Sequence, residues 1–460
     1  MTRFFYSLLM LFFLSVSLSV PAQTQSYREM HKVKKGETIF GIAKKYEITI
    51  EELIAANPDM NALGYELKKG DYIFIPYSAN QKQGDAKNKK ASADNAKTIA
   101  KNTTVAKAQN TINVGIMLPL HNVDGDGRRM LEYYRGFLLG CDKLKQEGMN
   151  INVKAWNVPI EADMSKTLPQ YTGASDCDII FGPLYSSQVP ALSDFVKKNG
   201  SKLVIPFSIT GNDVANNPNI FQVYQSPQFF YGEVVKNFVQ RFLGHHVVVV
   251  DCNDRSSDKG VFTFSLRKAL ADKGMTCSIT NISNSDENFA KAFSTSLPNI
   301  VVLNTGRSPE LNAVIAKLDK LKLASPKMGI TLFGYTEWLM YSKYNVDKFC
   351  KYNTYIPTHF YYNPLASTTQ AFEQNYRSRF DQSLLDYMPR FAISGYDHAL
   401  FFLRGIKKQG KAFTGVEADK SALQNKLHFK RVSGQNGGMQ NVGITFVHYN
   451  NNHSISLVDY

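Results

Sequence analysis

The rhythm of apolar and polar positions changes several times along this 460-residue chain. Leu8 to Leu14 is an almost unbroken apolar run. Between 27 and 76 the pattern predicts strand, helix, helix, strand. His31-Lys32-Val33 reads as a short strand, and Gly36-Glu37-Thr38 turns into a helix with apolar positions Ile39, Ile42 and Ala43. Thr38 suits the N-cap and Tyr46 closes that helix. A second helix, Ile50 to Ala56, is stopped by Asn57-Pro58. Leu67 to Asp71 is a turn, and Tyr72 to Pro76 is the closing strand. Residues 77–110 are rich in Lys, Ala, Asn, Gln and Ser, with no aromatic after Tyr77. Such a segment cannot bury enough surface to fold. It predicts a flexible tether with a typical reach of roughly 30–35 Å.

From Thr111 onward, apolar strands alternate with amphipathic helices. Ile112 to Leu120 is a buried strand, followed by a helix over Arg128 to Gly148 and a strand over Ile151 to Trp156. Asp178 to Gly182 is a strand, Ser187 to Lys198 a helix, and Lys202 to Pro206 the next strand. The alternation then restarts. Strands at His246 to Asp251, Thr276 to Ile279, Asn299 to Asn304 and Gly329 to Gly334 are separated by helices ending near Lys273 and Leu321. Alternation of this kind predicts parallel sheets with crossover helices. The fold class is α/β: a small βααβ module, then two α/β lobes of similar size around a cleft, the usual place for a small ligand.

Composition adds an address. The start is positive at Arg3, the apolar run follows, and Val20-Pro21-Ala22 ends it with small residues suited to signal-peptidase cleavage before Gln23. The run is shorter than a bilayer span of roughly 18–20 residues. No Cys lies near the cleavage point and no later segment reads as transmembrane, so the expected location is the periplasm or cell envelope, reached by export. Hydrophobic residues make up 43% of the chain, enough for a core. The net charge is +14, but residues 27–76 balance, and the largest local excess falls in 77–110, with seven Lys against two Asp. A basic tether suits an acidic polymer or an anionic membrane surface, or simply stays soluble. Five Cys show no metal spacing. Cys252 and Cys277 lie beside neighbouring strands and could meet; buried free thiols are the alternative.

The residues Val33-x-x-Gly36-Glu37-Thr38-Ile39-x-x-Ile42-Ala43, Leu53-x-x-x-Asn57 and Leu67-x-x-Gly70-x-x-Ile73-x-Ile75-Pro76 resemble a complete LysM module. The resemblance implies a shallow groove for N-acetylglucosamine-containing chains of peptidoglycan. It would be lined by Gly36, Glu37, Thr38 and Ile39 from one loop and Asn57, Pro58 and Asp59 from the other. Backbone amides and small polar groups would meet sugar hydroxyls and N-acetyl groups, with Ile39 and Pro58 giving apolar contact. The same Gly36, Thr38 and Asn57 also suit turns and caps.

The ordered phrases Val114 to Leu120, Ile179-Ile180-Phe181-Gly182-Pro183-Leu184-Tyr185-Ser186-Ser187, Ile205 to Thr210 and Gly395-Tyr396-Asp397-His398-Ala399-Leu400 resemble type I periplasmic binding proteins, the branched-chain amino-acid receptors in particular. The resemblance spans nearly all of 111–460. It implies a first lobe of about 111–226 plus 358–430, and a second of about 227–357 plus a hairpin from Val442 to Tyr460. Ligand contacts would fall on Tyr185, Ser186, Ser187, Ser208 and Thr210, since hydroxyls and strand-end amides can hold a carboxylate; Ser187 equally suits a helix cap. The second lobe departs from the family. Ser257-Asp258-Lys259-Gly260 stands where Tyr-Gly-x-Gly is usual, and Arg307-Ser308-Pro309-Glu310 where a Tyr commonly precedes Pro-Glu. Glu337 could meet a ligand ammonium, one residue out of register, and Arg307 would suit an anionic ligand or a polar partner.

Several classes drop out. Asp124-Gly125-Asp126-Gly127 lacks the bidentate Glu of a calcium loop and reads as a turn. His245-His246 has no further metal ligand placed by sequence. No P-loop, dinucleotide fingerprint, GxSxG or HExxH is present. A nucleic-acid binder fits poorly with export and a neutral first module. The expectation is a non-enzymatic protein without cofactor or metal: signal peptide 1–22, LysM module 27–76, basic linker 77–110 and binding domain 111–460. Its partners would be peptidoglycan and either a small molecule or an envelope protein. Rival readings are a solute receptor of an amino-acid ABC transporter and a regulator of wall-building enzymes.

Overall fold

The computed structural model describes residues 27–57, 60, 67, 69–76, 111–208, 211–415 and 421–460. The expected signal segment and tether lie outside them. The N-terminal module and the large domain form separate compact units.

In the module, β1 (Tyr27–Lys32) pairs antiparallel with β2 (Tyr72–Pro76), with His31 opposite Ile73. Helices α1 (Ile39–Lys45) and α2 (Ile50–Ala56) lie between them in sequence. Thr38 caps α1 by accepting from the Gly41 amide, as expected. Thr49 and Glu52 form a reciprocal capping box on α2. Val33, Ile42, Ala43, Ile48, Leu53, Ile73 and Ile75 make one buried cluster.

The large domain carries two mostly parallel sheets. The first holds β3 (Thr111–Leu118), β4 (Asn150–Asn157), β5 (Ile179–Phe181), β6 (Lys202–Ile205), β7 (Ile220–Gln222), β13 (Phe429–Arg431) and β14 (Met439–Asn441), in the order β13-β14-β7-β6-β5-β3-β4. The second holds β8 (His246–Asp251), β9 (Cys277–Asn281), β10 (Asn299–Leu303), β11 (Ile330–Phe333), β12 (Tyr355–Thr358), β15 (Thr445–Tyr449) and β16 (Ile455–Asp459), in the order β16-β15-β12-β11-β10-β8-β9. Strands β13, β15 and β16 pair antiparallel. The interior strands are continuous apolar runs, such as Val247-Val248-Val249-Val250, because helices cover both faces. The crossover and covering helices are α3 (Gly125–Gln146), α4 (Val189–Asn199), α5 (Pro227–Arg241), α6 (Lys259–Asp272), α7 (Ser308–Ala324), α8 (Ser342–Lys351), α9 (Ser367–Phe380) and α10 (Phe391–Gln409).

Both lobes are discontinuous in sequence, as the resemblance implies. The chain passes between them after β7, after β12 and again before β15. At this hinge the Gln225 side-chain amide donates to the Gly443 carbonyl at 3.3 Å, tying two crossings together. The first lobe reaches further than residue 430, because β14 pairs parallel with β7. The expected turn at Asp124–Gly127 is instead the start of α3. The Asp124 carboxylate caps it, accepting from the Gly127 amide at 2.7 Å.

The pairing of Cys252 with Cys277 does not form, and all five cysteines are free. The strand register explains this. Cys277 lies opposite Val247, whereas Cys252 follows Asp251, which lies opposite Asn281. At about 3.3 Å per residue, the two thiols are separated by about 16 Å along the strands.

Helices α3 and α10 lie together against β3. Their backbones approach at glycines. A Cβ on Gly136 would run into the Ala392 carbonyl, and one on Gly395 into the Tyr133 carbonyl. Beside this seam the Tyr133 hydroxyl lies 2.9 Å from His398 Nδ1, and Phe137, Phe181 and Phe402 stack edge to face. Gly395→Ala therefore forces the helices apart. We expect a loss of about 2–4 kcal/mol, read as a lower thermal midpoint, whereas Gly232→Ala, with open space around its Cβ, leaves the midpoint unchanged or raised.

Glu132, also on α3, is 2% exposed. One carboxylate oxygen accepts from the Leu385 amide at 3.1 Å. Burial pushes its pKa up to about 7, against the pull of the Leu385 and Ala392 amides, Arg390 and Arg135. A carboxyl raised in the folded state binds its proton more tightly there than when unfolded. Its stabilising contribution is therefore full below the unfolded value and is lost as pH rises through about 7. Glu132→Gln keeps an acceptor for Leu385 and removes the titration. Between pH 5 and 8 the unsubstituted chain should lose about 2 kcal/mol relative to the variant, measured by denaturant unfolding across pH.

Candidate functional site

Two regions carry the candidate residues, one in each unit. In the N-terminal module the loop entering α1 is held from inside. The Glu37 carboxylate accepts from the Lys34 amide and from His31 Nε2, both at 2.7 Å. The imidazole is 5% exposed. Donating from Nε2 leaves Nδ1 to accept from the Tyr46 hydroxyl at 2.9 Å. Burial raises the Glu37 pKa, but the hydrogen bonds from Lys34 and His31 outweigh it and hold the carboxyl below its ordinary range. Gly36 is exposed at φ +83°, a conformation that favours glycine, and its missing Cβ leaves the loop backbone open. Thr38 is exposed and Ile39 half-buried against the core.

Asn57 ends α2, as expected. Its side chain is turned inward, donating to the Leu53 and Phe74 carbonyls at 2.8 Å each and accepting from the Phe74 amide at 2.7 Å. The two bonds with Phe74 tie the end of α2 to β2. Pro58 and Asp59 lie outside the described residues. A residue the sequence reading passed over is Phe40, 64% exposed one position beyond Ile39. An apolar ring left in water beside a polar loop is the feature that could have flagged it. Asn57→Ala should cost about 2–4 kcal/mol by orphaning buried backbone groups, whereas Phe40→Ala stays within about 0.5 kcal/mol. Amide hydrogen exchange of residues 27–76 in the full chain checks both.

In the large domain the candidates sit at the carboxyl ends of parallel strands. The strand order reverses at β3 between β4 and β5, and at β8 between β9 and β10, and crevices outside such points take ligands. In the first lobe, Ser186 follows β5 and Ser208 follows β6, and their hydroxyl oxygens are 2.6 Å apart. Ser208 is 6% exposed, and its carbonyl accepts from Gln222. The Tyr185 hydroxyl donates to Asp126 at 3.2 Å, and Asp126 also pairs with Arg129. Burial and the Asp126 charge push the Tyr185 phenol up to about 12. The structure thus brings Tyr185, Ser186 and Ser208 to one edge, together with Asp126, which the sequence had offered only as part of a turn. Ser187 is exposed and does not cap α4, whose N-cap is Gln188. Thr210 lies outside the described residues.

In the second lobe, Arg307 precedes α7 and is 57% exposed, 3.8 Å from Asp254 and 3.5 Å from Glu310. Hydrogen bonds from Ser256 and Thr305 hold Asp254 below the usual carboxylate range. Glu337 follows β11 and pairs with Lys259, at the start of α6, at 2.6 Å. Lys259 carries no ligand role in the sequence reading; only the departure at Ser257–Gly260 marked its neighbourhood. Among the described residues, no group of three His, Cys, Asp or Glu could hold a metal ion. No described helix is long and apolar enough to cross a membrane.

Two mostly parallel-sheet lobes joined by three crossings, with polar groups at the carboxyl ends of strands in each, define a two-lobed binding protein that also carries a small βααβ module. The chain belongs to the periplasmic binding protein family, whose model matches residues 170–444. Residues 31–76 match the LysM domain, a peptidoglycan-binding module. These families are binding proteins rather than enzymes. Among solved structures, the fold is similar to a protein described as a branched-chain amino acid ABC transporter from Rhodospirillum rubrum. Identity is 13%, the match covers 76% of this chain and 100% of that one, and the TM-score is 0.53. A branched-chain amino acid ABC transporter periplasmic ligand-binding protein from Burkholderia xenovorans matches at 13% identity over 75% of this chain and 94% of that one, with a TM-score of 0.45. No curated protein matches the chain.

Proposed function

We propose that the chain is an exported receptor held on peptidoglycan by its LysM module, presenting a two-lobed ligand-binding domain at the cell wall. The observation that carries this reading is the union of a LysM domain at 31–76 and a periplasmic binding protein domain in one polypeptide. In this reading residues 1–22 are removed on export and 77–110 form the basic tether. The tether raises the local concentration of the receptor at the wall. A glycan strand lies across the loop of Gly36, Glu37, Thr38 and Ile39, with Pro58 and Asp59 opposite and Phe40 stacking on a sugar face. The loop's open backbone at Gly36 and the exposure of Thr38 support that contact.

The cleft takes a small ligand whose polar end meets Tyr185, Ser186, Ser208 and Thr210, with Ser187 at the rim and Arg307 and Glu337 on the other lobe. The likeness to a described branched-chain amino acid transporter protein favours, as a second reading, a solute receptor serving an ABC transporter. A wall anchor suits a mobile shuttle poorly.

Co-sedimentation of the full chain with purified peptidoglycan sacculi tests the anchor. The chain should pellet with sacculi, and Phe40→Ala should weaken binding about tenfold without unfolding the module. A chain that stays in the supernatant overturns the anchor. Thermal unfolding of the same chain against amino acids and peptidoglycan fragments reads the cleft, since a ligand at 100 times its dissociation constant adds about 2.7 kcal/mol.

A further inference from the structure

The carboxyl edge of the second sheet contains a buried cation with its acceptors arranged around it. Lys259 is 6% exposed. Its ammonium donates to the Tyr231 hydroxyl at 2.7 Å, lies 2.6 Å from a Glu337 carboxylate oxygen and 3.3 Å from Asp258. It also stands over two rings, 5.4 Å from the Tyr231 centroid and 5.3 Å from that of Tyr335. Gly306, after β10, closes one side without a side chain; a Cβ there would touch Glu337 at 3.4 Å and Lys259 Cε at 3.6 Å. The walls come from α5, the ends of β10 and β11, and the residue preceding α6.

Aromatic faces, a phenol oxygen and two carboxylates around one point are the groups that recognise an ammonium ion. All three N–H bonds of the resident ammonium have an acceptor nearby. The lysine is buried while its two acids are not: Glu337 is 39% exposed and Asp258 76%. The acids thus face outward, with one ammonium offsetting one of their two charges from within. A purely structural ion pair would not need the two rings and the phenol.

We propose that Lys259 is the built-in occupant of an ammonium box on the second lobe, and that by filling it the residue sets the lobe's specificity against ligands carrying a primary ammonium. The specificity consequence rests on the reading that this edge lines a ligand cleft; the box itself does not. With the box filled, the place of a ligand ammonium is taken, and the second lobe offers the outward faces of the paired acids and the exposed guanidinium of Arg307, itself between Asp254 and Glu310. The departure at Ser257–Gly260 is then the sequence signature of a changed specificity.

The test is Lys259→Ala in the full chain, with propylammonium chloride, the fragment the substitution deletes, as probe. Propanol and sodium chloride at equal concentration serve as controls. The variant should show a saturable rise in thermal midpoint with propylammonium and none with propanol. The unsubstituted chain should show neither. Adding Glu337→Gln to the variant should weaken the response about tenfold or more. Equal response of the unsubstituted chain, an equal effect of propanol, or no saturable response overturns the proposal. If Lys259→Ala does not fold, Lys259→Met and Lys259→Met/Glu337→Gln decide. The single variant strands the carboxylate and lowers the midpoint, and the double variant recovers most of that loss; additive losses overturn the proposal. Failure of every natural ligand to bind the unsubstituted chain would sink the receptor reading and leave the propylammonium result standing.

Discussion

The seam between α3 and α10 is the contact on which the first lobe depends. The first of these helices precedes every strand of the second lobe in sequence, and the other follows all but its last two. Their backbones meet where Gly136 and Gly395 have no side chain, so β3, at the strand-order reversal, is covered by elements from both halves of the domain. Dispersion forces decay steeply with separation, and a seam this close gains from atoms that larger residues would hold apart. The Asp397 carboxylate extends the same helix's hold on the chain. It accepts from the backbone amides of Leu423, Gln424 and Asn425, and so fixes the return path toward β13.

The same logic sets the edges where ligands would meet the protein. Strands end in loops whose polar groups are first satisfied among themselves: Ser186 with Ser208, Tyr185 with Asp126, Lys259 with Glu337, Asp254 with Thr305. A ligand entering such an edge must replace an existing hydrogen bond or add to it, so affinity would come from differences between pairs. The two lobes differ in this respect. The first offers hydroxyls, which can donate or accept by rotating, whereas the second offers charges that are already matched.

Much of the architecture was legible because the signals are local. The LysM spacing combines a turn glycine, an N-cap threonine and a closing strand within a short segment. The alternation of Val-rich strands with helices likewise announces parallel sheets. What the sequence left open turned on contacts between distant residues. Asn57 stops α2 as its sequence position suggests, but its further partner Phe74 lies across the module on β2. Cys252 and Cys277 sit beside adjacent strands, and only the register shows that they occupy opposite ends. The setting of Lys259 was not legible, because Tyr231, Tyr335 and Glu337 come from other elements. Phe40 was hidden in an apolar pattern that the helix face does not follow.

The discontinuous lobes also bear on how the chain is made. A polypeptide growing from its N-terminus has most strands of the first sheet by Gln222, yet α10, β13 and β14 arrive only near Asn441. The second sheet waits for Thr445–Tyr449 and Ile455–Asp459. Neither lobe can close before almost the whole chain has emerged. Closure of both lobes is therefore a late event in synthesis, whereas the N-terminal module is complete by Pro76.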